Sequence, residues 1–288
     1  MKFLLTLCLT IGLIMPLTAQ EKMVCCSADD MTVKSSATTQ FAMLSADKKF
    51  VDKHENPMPM KYDGSFGSWI TYKTSDGKES KGYLVKSEKP TDNYILMIHE
   101  WWGLNDYIKR EAENLQKELG NVNILALDLY DGNVAATRED AGKFMQSVKE
   151  DRAKAIINGA IAYAGPKSKI ATIGWCFGGG WSLQAGLLGG KQTVATILYY
   201  GMPESNVEKL KTLNGPVLGI FGSKDAWITP EVAKTFESNM KAAGKSVTIK
   251  IYDADHAFAN PSNPKYDKAS TEDAHQAVLA LYKEAFKK

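Results

Sequence analysis

Residues 169–180 read KIATIGWCFGGG, in which a short apolar segment leads into a glycine-rich turn with a cysteine at position 176. This is the G-x-S-x-G nucleophile elbow with Cys in the place of Ser. Gly174 and Gly178 flank the cysteine, because a tight strand-to-helix turn needs neighbours without side chains. A helix predicted from Phe177 places the thiol at a helix N-terminus, which favours thiolate. We therefore interpret Cys176 as a nucleophile, the alternative being a small buried cysteine in a glycine-rich turn.

Outward from this turn, short apolar segments alternate with helical patterns. Tyr94 to His99 contains a continuous apolar run, which is typical of a strand buried on both faces. Asn105 to Leu119 has apolar residues at helical spacing and ends at Gly120. The remaining predicted elements are a hairpin (66–72 and 81–85), strands (122–127, 169–174, 193–199, 217–221 and 247–252) and helices (137–148, 151–164, 177–188, 230–243 and 271–286). This alternation predicts an α/β fold with a mostly parallel central sheet flanked by helices.

In such a sheet, functional residues lie at the carboxyl ends of the strands. A nucleophile elbow calls for an acid and then a histidine after later strands. Asp225 follows the strand at 217–221, and His256 follows the strand at 247–252. We assign His256 as general base and acid and Asp225 as the residue that orients its imidazole. Asp253 and Asp255 remain alternative acids.

The other three histidines, His54, His99 and His275, are not assigned to the site. His54 precedes the predicted domain in a charged segment, and His275 lies inside the last predicted helix. The pair His99-Glu100 suggests a metal site at first sight. However, adjacent strand residues point to opposite faces, so we predict no metal site there.

Composition narrows the class of protein. A chain of 288 residues with 44% hydrophobic and 24% charged residues suits one large α/β domain with appendages. The formal net charge of +2 does not indicate a nucleic-acid or membrane-surface protein. Four cysteines are too few for a disulfide-built scaffold. We expect no nucleic-acid partner and no integral membrane span in the mature chain.

The N-terminus has the pattern of a secretory signal peptide. A basic start at Met1-Lys2 precedes an apolar run of about 15 residues, shorter than the roughly 20 that span a bilayer. We predict a signal peptide at 1–19 and an exported protein, periplasmic or secreted, with a retained anchor or a lipoprotein as alternatives. The stretch 20–60 is polar and is predicted to be a poorly structured spacer before a domain at 61–288. Cys25 and Cys26 lie in this spacer without an assigned role.

Six blocks of sequence together resemble the dienelactone hydrolase family, which has the α/β-hydrolase fold. They span about Gly64 to Lys288 and are HEWWGLN (99–105), LDLY (127–130), GWCFGG (174–179), YYG (199–201), GSKD (222–225) and HAF (256–258). The resemblance implies a Cys-Asp-His triad of Cys176, Asp225 and His256. It also implies that Glu100 hydrogen-bonds the resting thiol and helps convert it to thiolate. Glu100 as a helix-capping residue is the alternative interpretation. The backbone N–H groups of Phe177 and Trp101 match the family's oxyanion hole.

The departures from the family concern substrate binding. The family holds the free carboxylate of its substrate with arginines and a tyrosine. One such arginine lies just past the catalytic histidine, where this chain reads Ala259-Asn260-Pro261. Arg138 matches a second arginine, but Gly142-Lys143-Phe144 stand where the tyrosine is expected. The candidate substrate-binding residues are therefore Arg138 and three aromatic residues that flank the site, Trp102, Trp227 and Phe258.

The resemblance and the predicted site together lead us to expect an ester or lactone hydrolase that forms a thioester at Cys176. It would act on a small molecule and need neither a metal nor an organic cofactor. Two alternatives stay open. One is a non-catalytic exported binding protein on a hydrolase scaffold, and the other is a peptidase that uses the same triad.

Overall fold

An eight-stranded sheet carries the residues singled out above. The computed structural model describes residues 35–64 and 66–287. The strands are β1 (Gly67–Lys73), β2 (Glu79–Val85), β3 (Asn93–Ile98), β4 (Asn123–Leu127), β5 (Lys169–Trp175), β6 (Thr193–Tyr199), β7 (Val217–Gly222) and β8 (Val247–Tyr252). Their order in the sheet is β1-β2-β4-β3-β5-β6-β7-β8. β1 and β2 pair antiparallel, as do β2 and β4, whereas β3 to β8 run parallel. The predicted mostly parallel α/β fold is confirmed.

Helices cover both faces of this sheet. Those described are α1 (Ala37–Met43), α2 (Lys48–Lys53), α3 (Asp106–Leu119), α4 (Arg138–Ser147), α5 (Glu150–Ala164), α6 (Phe177–Gly189), α7 (Val207–Leu210), α8 (Pro230–Ala242) and α9 (Lys268–Lys287). α3 packs with α9 and α5 packs with α6, on opposite faces. Side-chain caps begin several of them: the Asn105 carboxamide oxygen accepts from the Ile108 N–H at 3.2 Å at the start of α3.

The central strand β3 contains a continuous buried apolar run, as its sequence predicts. Ile95, Leu96, Met97 and Ile98 of β3 are completely buried, because helices cover the strand on both sides. β3 lies between β4 and β5, and β5 leads directly into α6 through Cys176. The turn that carries the cysteine is therefore anchored in the most buried part of the fold.

The predicted spacer at 20–60 is wrong from residue 36 onward, where the compact unit begins. Residues 36–54, here called the N-terminal segment, contain α1 and α2, and Phe41 and Phe50 are buried in the main core. Each helix is too short to show an apolar period, and one phenylalanine anchors each of them. Side-chain caps also stabilise both starts, through Ser36 to the Thr39 N–H and through Asp47 to the Lys49 N–H.

Several predictions concern residues that the structure does not describe. The signal peptide at 1–19, the spacer up to residue 34, and Cys8, Cys25 and Cys26 lie outside the described residues. Within the described part of the chain, no helix is long and apolar enough to cross a membrane.

Replacing Phe50 with alanine tests whether the N-terminal segment belongs to the folded domain. Phe50 is fully buried and its ring contacts the rings of Trp101 and Trp227. We expect Phe50→Ala to lower the free energy of unfolding by about 3 kcal/mol or more, because it leaves a cavity in the core. Urea unfolding followed by circular dichroism measures this change. Met43→Ala is the control, since Met43 is 59% exposed on α1. Equal stability of the two variants would contradict the packing described here.

Candidate active site

The cysteine sits on a strained turn. Cys176 has a φ of 55° and a ψ of −119°, in a region that residues other than glycine seldom adopt. The turn is so tight that a Cβ at Gly174 would lie 2.1 Å from the carbonyl oxygen of Gly178. A Cβ at Gly178 would lie 2.3 Å from the carbonyl oxygen of His99. Both glycines are thus required for the geometry, as the sequence pattern predicts.

The structure brings Cys176, His256 and Asp225 together at the carboxyl edge of the sheet. His256 Nδ1 and Asp225 Oδ2 are 2.5 Å apart. Asp225 Oδ1 accepts from the backbone N–H groups of Trp227 and Ile228, each at 2.9 Å, which fixes the carboxylate. A ring nitrogen of His256 lies within 4.8 Å of the Cys176 sulfur. All three side chains are buried.

The alternative acids point elsewhere. Asp253 is exposed and pairs with Lys224, with 3.1 Å between Nζ and Oδ1. Asp255 pairs with Lys265 at 3.4 Å. Neither carboxylate contacts His256, so Asp225 is the acid that the geometry favours.

Burial and charge set the protonation states. Burial, and to a smaller extent the Glu100 carboxylate, raises the pKa of the Cys176 thiol, although His256 acts in the opposite direction. Burial alone would lower the pKa of His256, but the Asp225 carboxylate and Cys176 hold it well above its usual value. Burial disfavours the Asp225 carboxylate, yet His256 and the backbone donors keep the pKa of Asp225 below its ordinary value. Burial thus favours the neutral Cys176 thiol, whereas Asp225 favours a protonated His256, so the two groups titrate as a pair.

Glu100 lies beside the triad, but the thiol is not among its hydrogen-bond partners within the described residues. Tyr200 donates its hydroxyl to Glu100 Oε1 at 3.1 Å, and the Asn260 carboxamide donates to Oε2. The Asn260 oxygen in turn accepts from the N–H and hydroxyl of Ser262 at 2.8 and 2.7 Å. Burial raises the pKa of Glu100 to about 7, although these donors act against it. Glu100 is thus close to half-protonated near neutrality.

Tyr200 and Asn260 are functional candidates that sequence reasoning did not assign. Tyr200 follows β6 with a φ of 35°, and its ring lies 5.1 Å from that of His256. Its position at a strand end was the available signal. Asn260 stands where the family has an arginine, and only the folded structure shows that it donates to Glu100.

The predicted oxyanion donors are suitably placed along the chain. Phe177 is the first residue of α6, where N–H groups have no acceptor in a preceding turn. Trp101 directly follows Glu100 in the turn after β3. Within the described residues, neither N–H donates to a turn or loop carbonyl. The Phe177 N–H lies beside the Cys176 sulfur, where an oxyanion would form, and the assignment of both donors stays a prediction.

His54 is the unexpected member of the site. It ends α2, is buried, and its ring lies 5.3 Å from the ring of His256 and 4.3 Å from that of Trp101. Burial lowers the pKa of His54 to about 3, so it is neutral. Its sequence context is charged, and nothing in that context indicates burial. Only the folded N-terminal segment brings it to Cys176.

His99 has a structural role. Its Nδ1 is 2.5 Å from the Glu100 carbonyl oxygen, and its Nε2 accepts from the Leu129 N–H at 3.2 Å. Burial lowers the pKa of His99 to about 4, so the ring is neutral with both nitrogens engaged. It joins the end of β3 to the loop after β4 and leaves no nitrogen for an ion.

A cavity of about 400 Å³ opens on the Glu100 side of the site. Trp102 lines it, together with Trp175 and Tyr199. Trp227 lies on the other side, where it packs on Phe50 and borders a small pocket with His54 and His256. Of the four predicted substrate-binding residues, Trp102 alone lines the larger cavity.

The other two predicted substrate contacts are engaged elsewhere. Phe258 is fully buried and packs on Tyr200 and Tyr252, with ring centroids 5.6 and 5.5 Å apart. Arg138 hydrogen-bonds to Glu139 at 3.2 Å and to the Asp52 carbonyl at 3.4 Å. Neither borders the cavity beside Glu100, so this structure places Phe258 in the core and Arg138 against the N-terminal segment.

A cysteine elbow between strand and helix, with an acid and a histidine from the ends of two later strands, defines an α/β-hydrolase. The dienelactone hydrolase family model matches residues 80–286. This chain belongs to the dienelactone hydrolase family, as the six sequence blocks indicate.

Known relatives and solved structures agree with this family. Protein usf from Aquifex pyrophilus is 28% identical over 223 residues, which cover 73% of this chain and 95% of the relative. The carboxymethylenebutenolidase of Pseudomonas sp. strain P51 is 26% identical, covering 66% of this chain and 83% of the relative. A dienelactone hydrolase-like promiscuous phosphotriesterase from metagenomic libraries superposes with a TM-score of 0.66 at 20% identity, over 77% and 99% of the two chains. An esterase from Pyrococcus furiosus superposes with a TM-score of 0.59 at 16% identity, covering 80% of this chain and 99% of the esterase chain. These two structural likenesses support the fold.

The raised pKa of Glu100 predicts a pH-dependent stability. Its folded pKa is about 7 against an ordinary 4.5, so the folded state holds the extra proton between these values. Stability then falls as pH rises through this window and levels off above it. Glu100→Gln removes this titration. The free energy of unfolding of the variant, minus that of the wild type, should therefore rise from pH 4.5 to 7. Urea unfolding across this range measures the difference, and parallel curves would contradict the assignment.

Proposed function

We propose that this protein hydrolyses carboxylic esters or lactones through a thioester on Cys176. The observation that carries the proposal is the arrangement of Cys176, His256 and Asp225 at a nucleophile elbow. Membership of the dienelactone hydrolase family and the relatives named carboxymethylenebutenolidase support a lactone or ester as substrate. The neutral, buried thiol requires a base beside it, and His256 is that base.

The reaction has two halves. His256 Nε2 takes the thiol proton as sulfur attacks the carbonyl carbon, and the N–H groups of Phe177 and Trp101 hold the oxyanion. Each such donor typically contributes on the order of 3 kcal/mol to barrier lowering. The tetrahedral intermediate expels the alkoxide, which takes the proton from His256 and leaves a thioester. His256 then removes a proton from water, which attacks the thioester and releases the acid and the thiol.

Glu100 couples the triad to the cavity. It borders the cavity, and its charge raises the pKa of Cys176. A group that binds in the cavity and reorients Glu100 would therefore alter the thiolate fraction at Cys176. Until then the thiol stays protonated, which protects it because thiolate is the form that oxidises.

The cavity favours an uncharged substrate. Four carboxylates border it, Glu100, Glu111, Glu118 and Glu272, against the guanidinium of Arg110. His275 also borders it, with Nε2 3.0 Å from the Glu118 carboxylate. Asn260 also borders the cavity, and its amide donates to Glu100. We propose neutral esters or lactones over substrates with a free carboxylate, which would meet like charge in this cavity.

A pair of aspartate substitutions separates the triad acid from a bystander. We expect Asp225→Asn to lower kcat for a neutral p-nitrophenyl ester by roughly 10³–10⁴-fold, because the imidazole loses its orienting carboxylate. Asp253→Asn is the matched control and should stay near wild type, since Asp253 is exposed and pairs with Lys224. Steady-state kinetics measure both.

Cys176→Ala completes the test and should abolish turnover while the far-ultraviolet spectrum is retained. Retained turnover in Cys176→Ala, or equal rates in the two aspartate variants, would overturn the proposed function. The same assay on two esters of equal size, one with a free carboxylate, tests the charge preference through kcat/KM.

A further inference from the structure

Three metal-ligating side chains meet at the site, and one of them lies outside the triad. His54 comes from the end of α2, Cys176 from the elbow and His256 from the loop after β8. One ligand atom from each lies within 4.8 Å of the other two, and all three residues are buried. The N-terminal segment thus adds a second imidazole beside the nucleophile.

Both imidazoles are oriented as metal ligands are. His54 Nδ1 lies 2.7 Å from the Phe50 carbonyl oxygen, and His256 Nδ1 lies 2.5 Å from Asp225 Oδ2. Carbonyl and carboxylate oxygens only accept, so Nδ1 of each ring carries a proton, and in the neutral rings that bind a metal Nε2 has the lone pair. A carboxylate or backbone carbonyl behind the ring is the usual support of a metal-binding histidine. Here both supports are present.

The two Nε2 atoms have no other partner. Both are buried, and neither has a hydrogen-bond partner outside this cluster within the described part of the chain. The Cys176 thiol interacts with His256. A buried polar atom without a partner is costly and calls for an explanation. The Cys176 thiol has one proton and can donate to only one of the two lone pairs. One cation, in contrast, satisfies both nitrogens and the sulfur at once.

We propose that His54, Cys176 and His256 form a Zn²⁺ site. One thiolate and two imidazoles are a donor set that Zn²⁺ prefers, whereas Ca²⁺ and Mg²⁺ take oxygen ligands. With Zn–S of about 2.3 Å and Zn–N of about 2.0–2.1 Å, tetrahedral ligand atoms lie roughly 3.3–3.6 Å apart. The ligand atoms therefore have to approach by at most about 1.5 Å from their separation of up to 4.8 Å. Binding releases the thiol proton to solvent.

This site excludes catalysis while it is filled. The ion would occupy the sulfur lone pair and the His256 lone pair that ester hydrolysis requires. His54 decides its affinity, because the triad alone offers only two of the three ligands. The proposal is independent of the hydrolase activity, since metal binding is measured without turnover.

The test uses the full-length, metal-free protein with Co²⁺ and Zn²⁺ as probes. We expect one ion per chain, a thiolate-to-Co²⁺ charge-transfer absorption that Zn²⁺ abolishes, and protection of Cys176 from iodoacetamide. His54→Phe keeps an aromatic ring against Phe50 and Trp101 but removes the ligand nitrogen, so Zn²⁺ affinity should fall at least about tenfold. His275→Phe is the matched control and should bind Zn²⁺ as the wild type does.

Two further readouts keep the outcome decisive. Cys176→Ser should lose the charge-transfer absorption even if His54→Phe fails to fold, as judged by circular dichroism. Equal Zn²⁺ affinity in a folded His54→Phe protein, or an ion that binds without the thiolate absorption, would overturn the proposal.

Discussion

The backbone of Cys176 is the constraint on which the site depends. A residue with a side chain at a φ of 55° costs about 1–3 kcal/mol and persists only where its surroundings hold it. Here Gly174 packs directly on Gly178, and Gly178 packs on the last carbonyls of β3. The same packing that strains the turn lifts the sulfur to the carboxyl edge of the sheet. Strand ends then supply the other side chains of the site at this edge.

The parts of this site that follow a rule of chain order could be predicted from the sequence. The glycines identify the turn because only they tolerate its close approach, and Asp225 and His256 follow because parallel strands end at one edge. Glu100 as a site residue came from resemblance to the family. The contacts of Glu100 with Tyr200 and Asn260 could not be predicted, because three separate loops meet there only in the folded chain.

The N-terminal segment shows where sequence patterns carry too little signal. α1 and α2 have 7 and 6 residues, too few for an apolar period, and a polar composition hides the burial of Phe41 and Phe50. Their folding has a chemical consequence, because Phe41 and Phe50 pack against the His256 ring. It also places His54 beside the Cys176 sulfur. Two buried imidazoles thus lie beside the Cys176 sulfur, and a buried carboxyl with a pKa of about 7 lies on the cavity side of the same site.

The central claim is that Cys176 carries the acyl group, and rapid-quench mass spectrometry tests it most directly. The protein is mixed with a slowly hydrolysed p-nitrophenyl ester, quenched in acid within one turnover, and digested for peptide mapping. We predict an acyl adduct on the peptide that contains Cys176, formed at the rate of p-nitrophenol release and absent in Cys176→Ala. Turnover without an adduct, or an adduct on a different residue that forms at the turnover rate, would contradict this account.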